Sequence, residues 1–177
     1  MKIELRNIKI NLTFSEETTM FKADVYVDGK KTAYAENDGH GGNTFYNRYE
    51  GMENLLKEAE AYAKTLPSTT HKFGNTTMVI ESTLENIIDK MIDEEVNKKE
   101  TEKFKKKLEK NMLKNIVYGV PNGKSYKMIG WGNLTIAQLL ASPNGRQAIQ
   151  KAVNKIEGEL KEGEKILNNN LLVGFIK

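Results

Sequence analysis

The sequence predicts an α+β fold, and three observations carry that prediction. Apolar and polar residues alternate through the first third of the chain, the period of half-buried strands. Residues 52–66 and the charged segment after Ser82 instead repeat their apolar positions every three or four residues, the period of a helix. Two turn signals, Asp28-Gly29 and Pro121-Asn122-Gly123-Lys124, stand between β-prone runs and mark hairpins. The architecture that follows is an N-terminal antiparallel sheet with a covering helix, then a long helix, a β-hairpin and C-terminal helices. It divides the chain into 1–81 (sheet plus helix) and 82–177 (long helix, hairpin, C-terminal helices), expected to pack as one unit.

Each element has its own reason. Ile3, Leu5, Ile8, Ile10, Leu12 and Phe14 alternate with polar residues except for a phase slip at Arg6-Asn7, which a β-bulge would produce. Strands from Met20 to Val27 and Thr32 to Ala35 flank the Asp28-Gly29 turn, and an aromatic segment, Phe45 to Tyr49, follows. Leu55, Leu56, Ala59, Tyr62, Ala63 and Leu66 line one face of a helix that Pro67 ends. Thr76 to Ile80 is β-prone and is expected to add a strand.

Ser82 or Thr83 caps the next helix, with little help from a capping box because Asn86 stands where Glu or Gln is usual. Its stripe, Leu84, Ile88, Ile92, Val96, Phe104, Leu108, Met112 and Ile116, keeps four-residue steps. Each such step drifts by about 40° on a 3.6-residue helix. Either the helix breaks near Asn97–Thr101 or its two halves pack against different surfaces; one long helix is expected. Asn115 to Trp131 reads as the second hairpin, with Asn122-Gly123 as a type I′ turn. Thr135 to Gln138 spells a capping box, and Ser142-Pro143 starts a last helix whose stripe runs from Ile149 through Leu160 to Leu167, with Asn168-Asn169-Asn170 as its end. Leu171 to Ile176 is an apolar tail that must pack.

Bulk composition narrows the function classes. At 177 residues, 38% of them hydrophobic, the chain suits one domain, or one with an appendage. No apolar run approaches the roughly 20 residues that span a bilayer, and Met1-Lys2-Ile3-Glu4-Leu5-Arg6 is unlike a signal peptide. A cytoplasmic protein with no membrane contact is expected. The absence of cysteine excludes disulfides, thiol catalysis and Cys-based metal sites. With only His40 and His71 and no aspartate-rich loop at EF-hand spacing, no metal and no cofactor are expected. The charge is unevenly spread: residues 117–177 hold 8 basic and 4 acidic side chains, so the C-terminal third is the better place for an anionic partner such as a nucleic acid.

One cluster could carry chemistry: Asn37, Asp38, Gly39, His40, Gly41 and Gly42. Glycines permit positive φ and close approach, successive N–H groups can cradle an anion, and His40 titrates near neutrality. Arg48 lies just beyond, in the aromatic segment. The motif is no Walker loop, lacking Gly-Lys-Ser/Thr, and no dinucleotide fingerprint, since an aromatic strand follows where a helix should. Asp38 and His40 could act as an acid–base pair, but no nucleophile elbow accompanies them. A binding role is favoured over an enzyme.

Two further features bear on partners. The lysines from Lys98 to Lys110 follow an acidic stretch, and pairs such as Glu94–Lys98, Glu95–Lys99 and Glu102–Lys106 stand at i,i+4; a solvated, self-complementary helix accounts for them. A helix-turn-helix reading of 135–153 fails, because Ser142, Gln147 and Gln150 fall where apolar contacts belong. Tyr118, Lys124, Tyr126, Lys127 and Trp131 gather on and beside the second hairpin, as an aromatic-basic ribbon for a partner protein would.

The segments Tyr26-Val27-Asp28-Gly29-Lys30, Ala35 to Gly42, Leu55-Leu56-Lys57-Glu58-Ala59-Glu60, Ile116 to Asn122 and Gly163 to Asn168 give the chain a resemblance. It resembles a group of uncharacterised small proteins of tailed phages and prophages of gut bacteria. The resemblance implies an accessory protein, in the host cell cytoplasm, that inhibits a bacterial defence or host factor by direct binding. The alternatives are a nucleotide-binding protein or enzyme using the 37–42 loop, and a nucleic-acid-binding protein using the basic C-terminal third. The uneven helix stripe and apolar tail are compatible with a homo-oligomer.

Overall fold

The structure, a computed structural model, describes residues 1–74, 76–171 and 175. It is a mixed α+β protein that divides into two compact units, Met1–Lys98 and Lys99–Lys177.

The first unit is built on a four-stranded antiparallel meander in the order β1-β2-β3-β4, with β1 Ile3–Ile10, β2 Phe21–Val27, β3 Lys30–Asn37 and β4 Phe45–Arg48. The expected bulge is there: the β1–β2 register shifts between Arg6 and Lys9, and Asn7 takes φ 53°, which asparagine tolerates better than most residues. Asp28 (φ 47°) and Gly29 (φ 80°) give the double positive φ of a type I′ turn. Helix α1 (Glu53–Lys64) buries Leu56, Ala59 and Ala63 against the strand residues Phe21, Ala23, Val25, Val27, Ala33 and Ala35. Alanines at this seam let helix and sheet approach closely.

Two expectations need correction here. Thr76–Ile80 is a strand (β6), as expected, but it does not extend the main sheet. It pairs with β5 (Thr69–Phe73), a strand the alternation did not reveal, in a separate two-stranded hairpin. Thr83 also has its capping box. Its Oγ1 accepts from Asn86 N at 3.1 Å, and Asn86 Oδ1 accepts from Thr83 N at 3.1 Å. The short Asn side chain thus performs the return contact usually made by Glu or Gln.

Helix α2 runs unbroken from Leu84 to Met112. Leu84, Ile88 and Ile92 are buried in the core of the first unit, with Val96 packed on it. Phe104, further along, meets Tyr126 of the second unit edge-on at 5.4 Å between ring centroids. The drift of the four-residue stripe is thereby resolved: the helix does not break, and its halves serve different cores.

The second unit centres on β7 (Asn115–Gly119), flanked by β8 (Lys127–Gly130) and the two-residue β9 (Lys165–Ile166). Ile116 and Tyr118 of β7 pack with Ile136 and Leu139 of α3 (Ile136–Leu140) and with Ile149, Val153 and Ile156 of α4 (Pro143–Glu159). Both helix starts are as the sequence predicts: a Thr135/Gln138 capping box, and Ser142 Oγ accepting from Gly145 N with Pro143 in the first turn. Gly145 is sterically required, since a Cβ there would stand 2.1 Å from Leu139 O.

Two further expectations are overturned. The 120–123 turn is not type I′: only Asn122 has positive φ (59°), and Gly123 N donates to Val120 O at 2.9 Å. Proline at the first central position and a positive-φ residue at the second are the type II pattern; the strands close only at Tyr118–Lys127. Helix α4 stops at Glu159, well before Leu167. Leu160 is extended and Gly163 has φ 80°, so the chain turns and returns as β9. Of the apolar tail, Leu171 and Phe175 pack on the second core; residues 172–174 and 176 lie outside the described residues.

Candidate functional site

Antiparallel pairing brings the end of β1, the start of β2, the end of β3 and the start of β4 to one edge of the sheet, through Ile10–Phe21, Phe21–Asn37 and Glu36–Phe45. Loops 11–20 and 38–44 therefore lie together. Asn37 organises them. Its buried side chain accepts at Oδ1 from Thr18 Oγ1 (2.8 Å) and Gly39 N (2.9 Å), and donates from Nδ2 to Gly42 O (3.0 Å) and Thr44 Oγ1 (3.2 Å). Gly39 O in turn accepts from Glu16 N at 2.9 Å. Gly39 takes φ 90°, and a Cβ there would lie 2.6 Å from Phe14 O, so the close crossing of the two loops needs glycine.

This order leaves the loop amides occupied. Gly39 N donates to Asn37 Oδ1, His40 N to Asp38 Oδ1 (3.2 Å) and Gly41 N to Thr18 Oγ1 (3.2 Å). An anion would have to displace these contacts. Asp38 engages the backbone of His40, whereas the imidazole Nδ1 meets Glu16 Oε2 at 3.1 Å. Glu16 raises the His40 pKa by hydrogen bonding and charge. The Asp38–His40 acid–base pair is thus not formed; the partner is a glutamate from the other loop. Arg48 is not brought to the loop either, since its Nε donates to Glu53 at 2.9 Å.

Beside the loop lies a cleft of about 420 Å³, edged by Glu16, Glu17, Asp89 and Asp93 with Phe21 and Ile92 among its lining. Thr44 ties the loop to α2, its N–H donating to Glu85 Oε1 (3.0 Å) and its hydroxyl to Asp89 Oδ1 (2.5 Å). Burial, opposed by the Thr44 hydroxyl and assisted by Glu85 and Asp93, pushes the Asp89 carboxyl above the usual range. Tyr46 donates to Glu60 Oε1 (3.0 Å), and burial with that carboxylate pushes its phenol up to about 12. Among the described residues no group of three His, Asp or Glu side chains could hold a metal ion, and no helix is long and apolar enough to cross a membrane.

The edge of this site is apolar and open to solvent. Leu12 and Phe14, on a 3₁₀ turn, are 49% and 61% exposed, and Phe45 at the start of β4 is 67% exposed. Leu12 and Phe14 belong to the 11–20 loop that bonds to Gly39, and Phe45 directly follows the 38–44 loop. Neither Glu16, Thr18, Thr44 nor Asp89 is distinguishable in the sequence, because the contacts that assemble them join residues far apart in the chain.

The hairpin residues of the second unit do not form one ribbon. Tyr118 is buried in the core and Trp131 is half-buried against it. Tyr126 packs on Phe104, and its hydroxyl accepts from Asn111 Nδ2 at 2.7 Å. Lys127 pairs with Glu164 at 3.0 Å above the Tyr118 ring. Lys124 is exposed. The organising residue here is Asn168, which the sequence pattern places in a helix end. It accepts from Val117 N (2.6 Å) and donates to Asn115 O (2.9 Å) and Met112 O (3.3 Å), fastening the chain after β9 to β7 and the end of α2.

Compared with family models, with curated proteins and with solved structures, the chain matches nothing.

Proposed function

We propose that the chain is a phage-derived accessory protein that inhibits a bacterial defence or host factor by direct binding, and that it makes the contact with the loop end of its N-terminal sheet. The phage origin and inhibitory role rest on the sequence resemblance. The observation that carries the site is the exposure of Leu12, Phe14 and Phe45 next to a loop hydrogen-bonded by Asn37. Large apolar side chains displayed on an ordered scaffold bind with little loss of conformational freedom, and aromatic anchors dominate interface energetics. The adjacent carboxylates Glu16, Glu17, Asp89 and Asp93 complement Lys or Arg on the partner.

The test is capture of crosslinked partners from bacterial cells expressing the tagged full chain, alongside a plating assay for relief of phage defence. A single host protein should be enriched, and Phe14→Asp with Phe45→Asp should lose both it and the relief while the circular dichroism spectrum is kept. Retention of the partner and of relief by that folded double variant would overturn the assignment.

A further inference from the structure

The second half of α2 gathers positive charge on one face. At about 100° per residue, Lys106, Lys99, Lys110, Lys103 and Lys107 fall within an arc of about 100° on the helix surface. All five are exposed. Glu100, Glu102 and Glu109 fall outside the arc by the same geometry, as do Phe104, Leu108 and Met112, which lie on the side facing the unit's interior. Among the described residues no ion pair engages Lys103, Lys106, Lys107 or Lys110, and the i,i+4 pairs expected at Glu94–Lys98 and Glu102–Lys106 are not made. Exposed pairs of long side chains gain little from being fixed.

We infer that this lysine face is a docking surface for the phosphate backbone of a nucleic acid, a role separate from the protein contact of the first unit. Lys99, Lys103, Lys106 and Lys110 are spaced by about 6, 4.5 and 6 Å along the axis, some 16 Å in all. Such a row can follow consecutive phosphates. Point-charge ammonium groups bind phosphate without reading sequence. The composition disfavours other polyanionic partners. A membrane-surface helix would turn its apolar face to lipid, whereas this one turns it inward. A protein hot spot would use aromatic residues or arginine, and lysine is depleted there.

The probe is a fluorescein-labelled duplex DNA of arbitrary sequence, titrated with the full chain at several salt concentrations. Five lysine contacts predict a log–log salt slope of about −4.5. Replacing Lys103, Lys106 and Lys110 by glutamate should abolish binding. The gentler set Lys103→Gln, Lys106→Gln and Lys110→Gln, which preserves helix propensity, should reduce the slope by about 2 to 3. Phe14→Asp should leave DNA affinity unchanged. Absence of saturable binding at about 50 mM salt, an unaltered slope in the glutamine variant, or tighter binding to phosphatidylserine vesicles or polyglutamate would each overturn the proposal.

Discussion

The two units use the same device for different ends. Each contains a buried asparagine whose side-chain amide joins separate segments: Asn37 ties Thr18 to the 38–44 loop in the first, and Asn168 ties β7 to the end of α2 in the second. Asn37 orders an exposed loop and its aromatic border, so its hydrogen bonds shape a surface. Asn168 binds strand to strand and strand to helix, so its hydrogen bonds close a core. The units also differ in charge. Residues 1–98 carry 12 basic and 17 acidic side chains, residues 99–177 carry 15 and 7. A shaped apolar edge beside carboxylates suits a protein partner, whereas a row of lysines suits a polyanion. Similar scaffolding therefore does not imply a shared role.

Substitutions at the two asparagines should separate those ends most strongly. Asn168→Ala strands a buried Val117 N–H and removes a donor from two carbonyls, at a cost of about 3–5 kcal/mol. Asn37→Ala should cost about 2–4 kcal/mol and in addition free the amides of residues 39–41 to exchange. Chemical denaturation measures the first effect and amide hydrogen exchange the second. If Asn168→Ala loosened the 37–42 loop as much as Asn37→Ala does, the contrast between the two residues would fail. Next in size is Gly39→Ala, which meets both a positive φ and the Phe14 carbonyl. A loss of about 1–3 kcal/mol is expected, against a few tenths at Gly42, where an added Cβ would have nothing within 4 Å.

The smallest effects are electrostatic and opposite in sign. Asn7, ahead of Tyr49 and Lys31, holds the Asp24 carboxyl below its ordinary range against the opposing effect of burial. Its contribution to stability is present above the unfolded-state pKa and is lost as pH falls through the lower folded value. Asp89 is shifted upward by burial, so its ionised form opposes folding above that raised value and acidification relieves it. Thermal melts should therefore show Asp24→Asn below wild type at neutral pH and Asp89→Asn above it, both gaps narrowing as pH falls through the carboxylate range. Two gaps of the same sign would contradict the assigned environment of Asp89.

What the sequence disclosed follows from the range of the interactions involved. The Asp28-Gly29 turn, the Arg6-Asn7 bulge, the Thr135/Gln138 box and the Ser142-Pro143 start are local, and each residue type states its own requirement. The α+β class follows from periodicity alone. Three features escape the sequence, each because no local signal marks it. Strand β5 has no alternation to show, β9 is two residues long, and Asn168 acts through partners about 50 residues away. Glu16 and Asp89 carry no sequence signal for the same reason, since tertiary pairing alone brings them to the loop. The glycine cluster itself is legible as a structured loop; that Asn37, Asp38 and Thr18 already occupy its amides is not.

The division of labour between the units can be put to one trial: the loop end of the first should bind protein, and the lysine face of the second should not. Partner capture from bacterial cells is compared for three forms of the full chain: wild type, Phe14→Asp with Phe45→Asp, and Lys103→Gln with Lys106→Gln and Lys110→Gln. The aromatic variant should lose the partner while the glutamine variant keeps it. Loss in the glutamine variant with retention in the aromatic one would contradict that division.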